Sequence, residues 1–73
     1  MNPKDPEAIK RLGENVRKYR TLKGLTIVEL AEKCEVDYTT ISKIERGLVN
    51  TTVSMISIIA KALAIKPFEL LEM

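Results

Sequence analysis

Seventy-three residues are enough for one small domain, which must bury a large share of its apolar side chains in a single core. Hydrophobic residues make up 45% of the chain, aromatic residues only 4%, and there are three Gly and three Pro, a composition that favours a compact helical protein. The absence of His and the single Cys34 exclude an intramolecular disulfide and a zinc site. We therefore expect residues 1–73 to form one all-α domain without metal, cofactor or catalytic residues.

The net charge is +2, from 12 Lys and Arg against 10 Asp and Glu, which is a weak signal for a polyanionic partner. The excess lies in the first part of the chain, since residues 1–46 carry ten basic and eight acidic side chains and residues 47–73 carry two of each. No apolar run is long enough to span a bilayer, and the polar start does not resemble a secretory signal. We expect a cytoplasmic protein without membrane association.

The first predicted helix starts at Asp5 and Pro6, an N-cap residue and a favourable first helical residue, and Gly24 ends it. Apolar residues recur on one face at steps of three and four, namely Ile9, Leu12, Val16 and Tyr19. Arg20 falls near this stripe, and Glu45 falls likewise at the end of a later helix. We predict that Arg20 and Glu45 form a partly buried ion pair that joins the two helices.

Two short helices follow, each with its own start signal. Thr26 and Glu29 form a capping box, in which each side chain accepts a hydrogen bond from the backbone of the other. Asp37 is a strong N-cap residue for a helix from Tyr38 to Glu45, and Gly47 ends it. Only a few residues separate the two helices, so they must cross steeply. Such a pair is how a protein presents one helix to DNA.

The last part of the chain is predicted to contain two further helices. Thr52 is the N-cap of a helix over residues 53 to about 63, and a short helix begins at Pro67. The core stripe of the longer helix is predicted to contain Val53, Ile56, Ala60 and Leu63. Its apolar face is widened by Met55, Ile58 and Ile59. Two interpretations stay open: the surplus face binds a partner, or the helix is unusually well buried within one monomer.

Several short motifs in fixed order resemble one known family. They are Arg20, Gly24-Leu25-Thr26, Leu30-Ala31, Val36, Ile41-Ser42, Ile44-Glu45, Gly47 and Ile59-Ala60-Lys61-Ala62-Leu63. This pattern resembles the Cro/CI-type (XRE family) helix-turn-helix domain over nearly the whole chain. The resemblance implies an all-α, five-helix, lambda-repressor-like fold with a central helix-turn-helix.

The resemblance also implies that the helix beginning at Tyr38 enters the major groove of double-stranded DNA. Base contacts would come from Tyr38, Thr39, Ser42 and Lys43, among which a lysine can donate to guanine O6 and N7. Phosphate contacts would come from Thr26, Arg46, Asn50, Thr51 and Thr52. For each base-contacting residue, a phosphate contact or plain exposure stays an alternative.

The chain departs from the family pattern at several positions. Ile27 stands where the family usually has Gln, and Leu48 and Val49 replace a loop that is often basic, so we expect modest affinity for the DNA backbone. Glu35 occupies a turn position commonly held by Gly, where a left-handed conformation costs a non-Gly residue about 1 kcal/mol. Ile58 stands where the family often exposes Lys, which favours a partner surface.

These observations predict a sequence-specific DNA-binding transcriptional regulator. It would be a homodimer, with Met55, Ile58, Phe68 and Leu71 at its interface, on a pseudo-palindromic operator with half-sites about 34 Å apart. Whether it is a repressor or an activator stays open. Two alternatives use the same fold: an antitoxin or adaptor that binds a partner protein as well as DNA, and a restriction-modification controller, which the Asn50-Thr51-Thr52 loop suggests. An enzyme is not expected, because no ionisable group has an evident route to a perturbed pKa.

Overall fold

The computed structural model describes residues 4–72, which form four α-helices followed by a short 3₁₀ helix. The α-helices are α1 (Pro6–Leu22), α2 (Ile27–Cys34), α3 (Tyr38–Glu45) and α4 (Val53–Ala62), and the 3₁₀ helix spans Pro67–Leu71. The predicted all-α class is confirmed. The predicted fifth helix is a 3₁₀ helix, so the described residues contain four α-helices instead of five.

Side-chain caps begin three of the four α-helices. Asp5 and Thr52 each accept a hydrogen bond from the amide three residues further on, at 3.1 and 3.0 Å. Thr26 and Glu29 form both halves of the predicted capping box, at 3.0 and 2.8 Å. These bonds satisfy amides that have no partner within the first helical turn. Asp37 is the N-cap residue of α3, as predicted, but its carboxylate makes no cap hydrogen bond.

Left-handed backbone conformations end the helices. Gly24 and Gly47, with φ of +70° and +69°, follow α1 and α3. Glu35 ends α2 with φ 57° and ψ 42°, the conformation that its turn position predicts. Such a conformation disfavours a residue with a Cβ by about 1 kcal/mol, so the packing of α2 against α3 must hold this turn in place.

The core lies where the helices meet, and every element contributes to it. Its buried residues are Leu12, Val16, Leu30, Ala31, Cys34, Ile41, Ile44, Ile59, Ala60, Leu63 and Leu70. α1 packs against α3 and the 3₁₀ helix, α2 packs against α3 and α4, and α4 packs against the 3₁₀ helix. Cys34 is a core residue, as predicted, and burial raises the pKa of its thiol. Within residues 4–72, the helices fall short of the length and apolar character that a membrane crossing requires.

Two residues of α4 lie elsewhere than the sequence pattern predicts. Val53, assigned to the core stripe, is 84% exposed. It is the first residue of the helix, and helical side chains tilt toward the N-terminus, so its side chain projects beyond the packed part of α4. Ile59, assigned to the surplus face, is fully buried in the core.

Candidate nucleic-acid interface

α3 buries one side and exposes another. Ile41 and Ile44 anchor it in the core. Its outward face consists of Tyr38, Thr39, Ser42 and Lys43, of which Ser42 is half-buried and the other three are exposed. Positions i, i+1, i+4 and i+5 of a helix lie on one strip of its surface. This strip carries three hydroxyl groups and one ammonium group, all of which can donate hydrogen bonds to base edges or phosphates.

A partly buried ion pair holds the C-terminal end of α3. Arg20 Nε donates to Glu45 Oε2 at 2.6 Å and Arg20 Nη2 donates to Glu45 Oε1 at 3.1 Å, so that the two planar groups meet through two bonds. The two side chains are 12% and 5% exposed. Hydrogen bonding to Glu45 raises the pKa of Arg20 above its ordinary value, despite partial burial. The structure thus brings together the two residues that the sequence analysis paired.

The same guanidinium group makes a third contact that the sequence analysis did not include. Arg20 Nη1 donates to the carbonyl oxygen of Leu25 at 2.8 Å. Leu25 precedes α2, so one side chain of α1 is bonded to the approach to α2 and to the end of α3. The angle between the two helices of the pair is therefore fixed from a third helix.

Gly13 lets the backbones of α1 and α3 approach each other. A Cβ atom at this position would lie well inside van der Waals contact with the carbonyl oxygen of Ile44 and 2.7 Å from that of Glu45. Both carbonyl groups belong to the last turn of α3. The close approach and the Arg20 ion pair therefore fix the same end of α3 against α1.

The residues assigned to phosphate contacts lie in three places. Thr26 and Thr52 are exposed N-cap residues of α2 and α4. Each hydroxyl oxygen accepts an amide hydrogen bond, and at Thr52 this leaves the hydroxyl proton available for donation. Asn50 is exposed and Thr51 half-buried in the loop before α4. Arg46 is exposed at the end of α3, where its Nε donates to the carbonyl oxygen of Ser42 at 3.3 Å.

The capping box at Thr26 keeps its charge in mild acid. Hydrogen bonds from the backbone and side chain of Thr26 lower the pKa of Glu29 below its ordinary value. A carboxyl group whose pKa is lowered by folding stabilises the folded state above its unfolded pKa, and this stabilisation is lost as the pH falls through the folded pKa. At neutral pH the cap is therefore fully ionised, and the negative charge lies at the positive end of the α2 dipole.

Apolar side chains are exposed on α4 and the 3₁₀ helix, two elements that contact each other. The apolar patch consists of Met55, Ile58, Phe68 and Leu71. Ile58, Phe68 and Leu71 are 42%, 59% and 53% exposed, and Met55 is half-buried. The monomer core therefore does not account for the whole apolar surface of α4 and the 3₁₀ helix.

Comparison with protein families decides the assignment of the fold. The helix-turn-helix family model matches residues 16–70, a range that contains α2, α3 and α4 in full. The chain belongs to the helix-turn-helix family. The XRE-type resemblance predicted from the sequence is therefore confirmed.

Several characterised members of the helix-turn-helix family are similar to this chain. Control protein C.SmaI of Serratia marcescens is 44% identical over 52 residues, which cover 71% of this chain and 62% of that protein. The structure of the restriction-modification controller C.AhdI of Aeromonas hydrophila superposes with a TM-score of 0.82, at 35% identity, over 85% of this chain and 94% of that one. The structure of the biofilm master regulator SinR in complex with DNA superposes with a TM-score of 0.80, at 32% identity, over 84% of this chain and 98% of that one.

Sequence reasoning does not single out two residues that shape this helix-turn-helix protein. Gly13 carries a usable signal, since a glycine inside a helix is less stable than an alanine by about 0.5–1 kcal/mol and so indicates a close approach. Asn15 carries none. Its Nδ2 donates to the carbonyl oxygens of Leu70 and Glu72, at 2.9 and 2.8 Å, across 55 and 57 positions of sequence.

Proposed function

We propose that this helix-turn-helix protein is a sequence-specific DNA-binding transcriptional regulator, a single domain that acts in the cytoplasm as a homodimer. The observation that carries the proposal is the outward face of α3, which is polar, exposed and rigidly mounted. Gly13 and the Arg20–Glu45 pair fix α3 before any ligand binds. A recognition helix that is already ordered in the free protein loses little conformational entropy on binding DNA. The similarity to SinR, solved in complex with DNA, supports this assignment.

In the proposed complex, α3 lies in the major groove. Lys43 donates to guanine O6 and N7, and the hydroxyl groups of Tyr38, Thr39 and Ser42 contact neighbouring base edges. Phosphates of the flanking backbone accept hydrogen bonds from Thr26 and Thr52 at the helix N-termini, and from Arg46, Asn50 and Thr51. The apolar residues of the loop, Leu48 and Val49, contribute no charge to this contact. We expect moderate affinity for non-specific DNA.

The proposed homodimer forms through the apolar patch on α4 and the 3₁₀ helix. A two-fold axis through this patch places the same surface of both subunits in contact. It also presents two α3 helices, which must reach successive major grooves about 34 Å apart. A pseudo-palindromic operator follows from this symmetry.

Selection of bound sequences from random DNA duplexes tests the proposal directly. We expect an inverted repeat whose half-site centres are one helical turn, about 34 Å, apart. Retention of random sequences without enrichment would contradict sequence-specific recognition. Absence of binding to any duplex at low salt would contradict DNA binding itself.

Lys43→Ala is expected to lower affinity for the selected operator by about 1 to 3 kcal/mol and to relax base preference at one position of each half-site. Arg46→Ala serves as the comparison, because loss of a phosphate contact weakens all sequences equally and lowers the salt slope by about one. Titration of both variants against operator and scrambled duplexes at several salt concentrations measures this difference. An equal loss on both duplexes for Lys43→Ala would show a phosphate contact instead.

Ile58→Asp is expected to produce folded monomers, because a carboxylate within the apolar patch would be desolvated in the dimer without a partner. Ile58 is partly exposed in the monomer, so the fold should tolerate the change. Val53→Asp is the matched control, since Val53 is an exposed apolar residue of the same helix outside the patch. Sedimentation equilibrium should give monomers for Ile58→Asp and dimers for Val53→Asp. Unchanged self-association of Ile58→Asp would place the interface elsewhere.

A second candidate function is control of a restriction-modification system. The similarity to control protein C.SmaI and to the controller C.AhdI favours it, as does the Asn50-Thr51-Thr52 loop. The genes beside the coding sequence discriminate between the candidates. A methyltransferase and a nuclease would indicate a controller, whereas a small toxin gene would indicate an antitoxin that also binds a partner protein.

A further inference from the structure

The 3₁₀ helix that carries half of the apolar patch has little stability of its own. It spans five residues, and 3₁₀ hydrogen bonds have poorer geometry than those of an α-helix. Among its side chains, only Leu70 is fully buried, whereas Phe68 and Leu71 are exposed. Tertiary contacts must therefore determine where its exposed side chains lie.

Asn15 of α1 supplies such a contact. Its amide nitrogen donates to the carbonyl oxygens of Leu70 and Glu72, at 2.9 and 2.8 Å. Both partners are carbonyl oxygens, so only the amide nitrogen of Asn15 can make the two bonds. The bonds satisfy carbonyl groups at the C-terminal end of the 3₁₀ helix, on both sides of Leu71. Asn15 therefore holds the backbone that positions Leu71.

We infer that Asn15 is a positioning residue for self-association, which orders the Phe68 and Leu71 surface before a second copy of this chain binds it. The inference rests on the homodimer of the proposed function. The occupant is a second copy, because Ile58, Phe68 and Leu71 are exposed on two elements that pack against each other, and a two-fold axis through them would orient a pair of α3 helices. Without the two hydrogen bonds, the segment would have to become ordered on association, and affinity would fall.

Two variants separate this role from a general loss of stability. Asn15→Asp keeps the shape of the side chain, but it removes both donor hydrogens and places a carboxylate against two carbonyl oxygens. Asn15→Ala removes the contact without adding charge and preserves helix propensity. Ile41→Val, a buried deletion in α3 away from the 3₁₀ helix, is the control for a loss of core packing.

Sedimentation equilibrium measures the dimer dissociation constant of each protein at a temperature where all are folded. We expect an increase of about tenfold for Asn15→Asp, a smaller increase for Asn15→Ala, and no change for Ile41→Val. Amide hydrogen exchange of the monomers, measured at high dilution, should be faster at residues 68–72 in the Asn15 variants alone.

The outcomes distinguish this inference from the proposal beneath it. A wild-type protein that stays monomeric at all concentrations would overturn the homodimer, and the role of Asn15 with it. A wild-type protein that dimerises with the same dissociation constant as both Asn15 variants would overturn the role of Asn15 alone. An increase for Ile41→Val equal to that for the Asn15 variants would also overturn it, because loss of stability would then explain the effect.

Discussion

Gly13→Ala is expected to lower the free energy of unfolding by about 2 to 3 kcal/mol, although alanine is the better helix former. The added methyl group would overlap the carbonyl oxygens of Ile44 and Glu45, which are backbone atoms and cannot rotate away. α1 and α3 must separate to make room, and the Arg20–Glu45 bonds would lengthen. Urea denaturation measures the stability, and affinity for the selected operator reports the displacement of α3.

Gly24→Ala is the control for this experiment. A Cβ atom at Gly24 would meet no atom within 4 Å, but the backbone φ of this residue is +70°. We therefore expect the free energy of unfolding to fall by about 1 kcal/mol from backbone strain alone. Operator affinity should be unaffected, because the turn lies outside α3. A Gly13→Ala protein more stable than wild type would contradict the close approach of α1 and α3.

Replacing one member of the Arg20–Glu45 pair with an apolar residue is expected to lower the free energy of unfolding by about 3 kcal/mol or more. The remaining charge would then lie in a largely desolvated position without a partner. Arg20→Met and Glu45→Leu remove the two members with side chains that retain apolar volume. The double variant should lie closer to wild-type stability than either single variant does. A double-mutant cycle of unfolding free energies measures the coupling.

The same cycle has a second readout in DNA binding. The double variant loses the bonds that fix the end of α3 and the approach to α2, so its affinity for the operator should stay reduced when its stability is restored. If the free energy of unfolding of each single variant falls by less than about 1 kcal/mol, the pair behaves as an exposed ion pair. The structural role assigned to it would then be wrong.

The confirmed predictions depended on residues close together in sequence, as at the helix caps, or on the few charged residues that fall on apolar stripes. The Thr26 and Thr52 caps follow from a hydroxyl three residues before an amide that needs an acceptor. Arg20 and Glu45 could be paired because each is a charged residue on an apolar stripe, and a buried charge requires a counter-charge. The left-handed conformation of Glu35 agrees with the expectation from the family resemblance, in which this turn position is commonly held by Gly.

The predictions that failed concern positions where the surrounding fold determines the outcome. The helical periodicity of apolar residues assigns Val53 to the core, but Val53 is exposed. Periodicity alone does not predict where the side chain of a first-turn residue projects. Asp37 takes the predicted N-cap position, but the cap hydrogen bond that its residue type favours is not made. The last helix is 3₁₀, and Asn15 and the core hold it through contacts that the neighbouring sequence does not indicate. The DNA contacts of α3 and the dimer patch stay predictions.

The position of Cys34 gives this protein an internal reporter. The thiol is enclosed by the core and its pKa is raised, so little of it is the reactive thiolate while the protein is folded. Because Cys34 is only 6% exposed, we expect reagents that alkylate cysteine to reach it mainly when α2 separates from the rest of the core. The rate of labelling in the native protein therefore measures how often the helix-turn-helix opens, without any engineered probe, and shows directly whether operator DNA suppresses that opening.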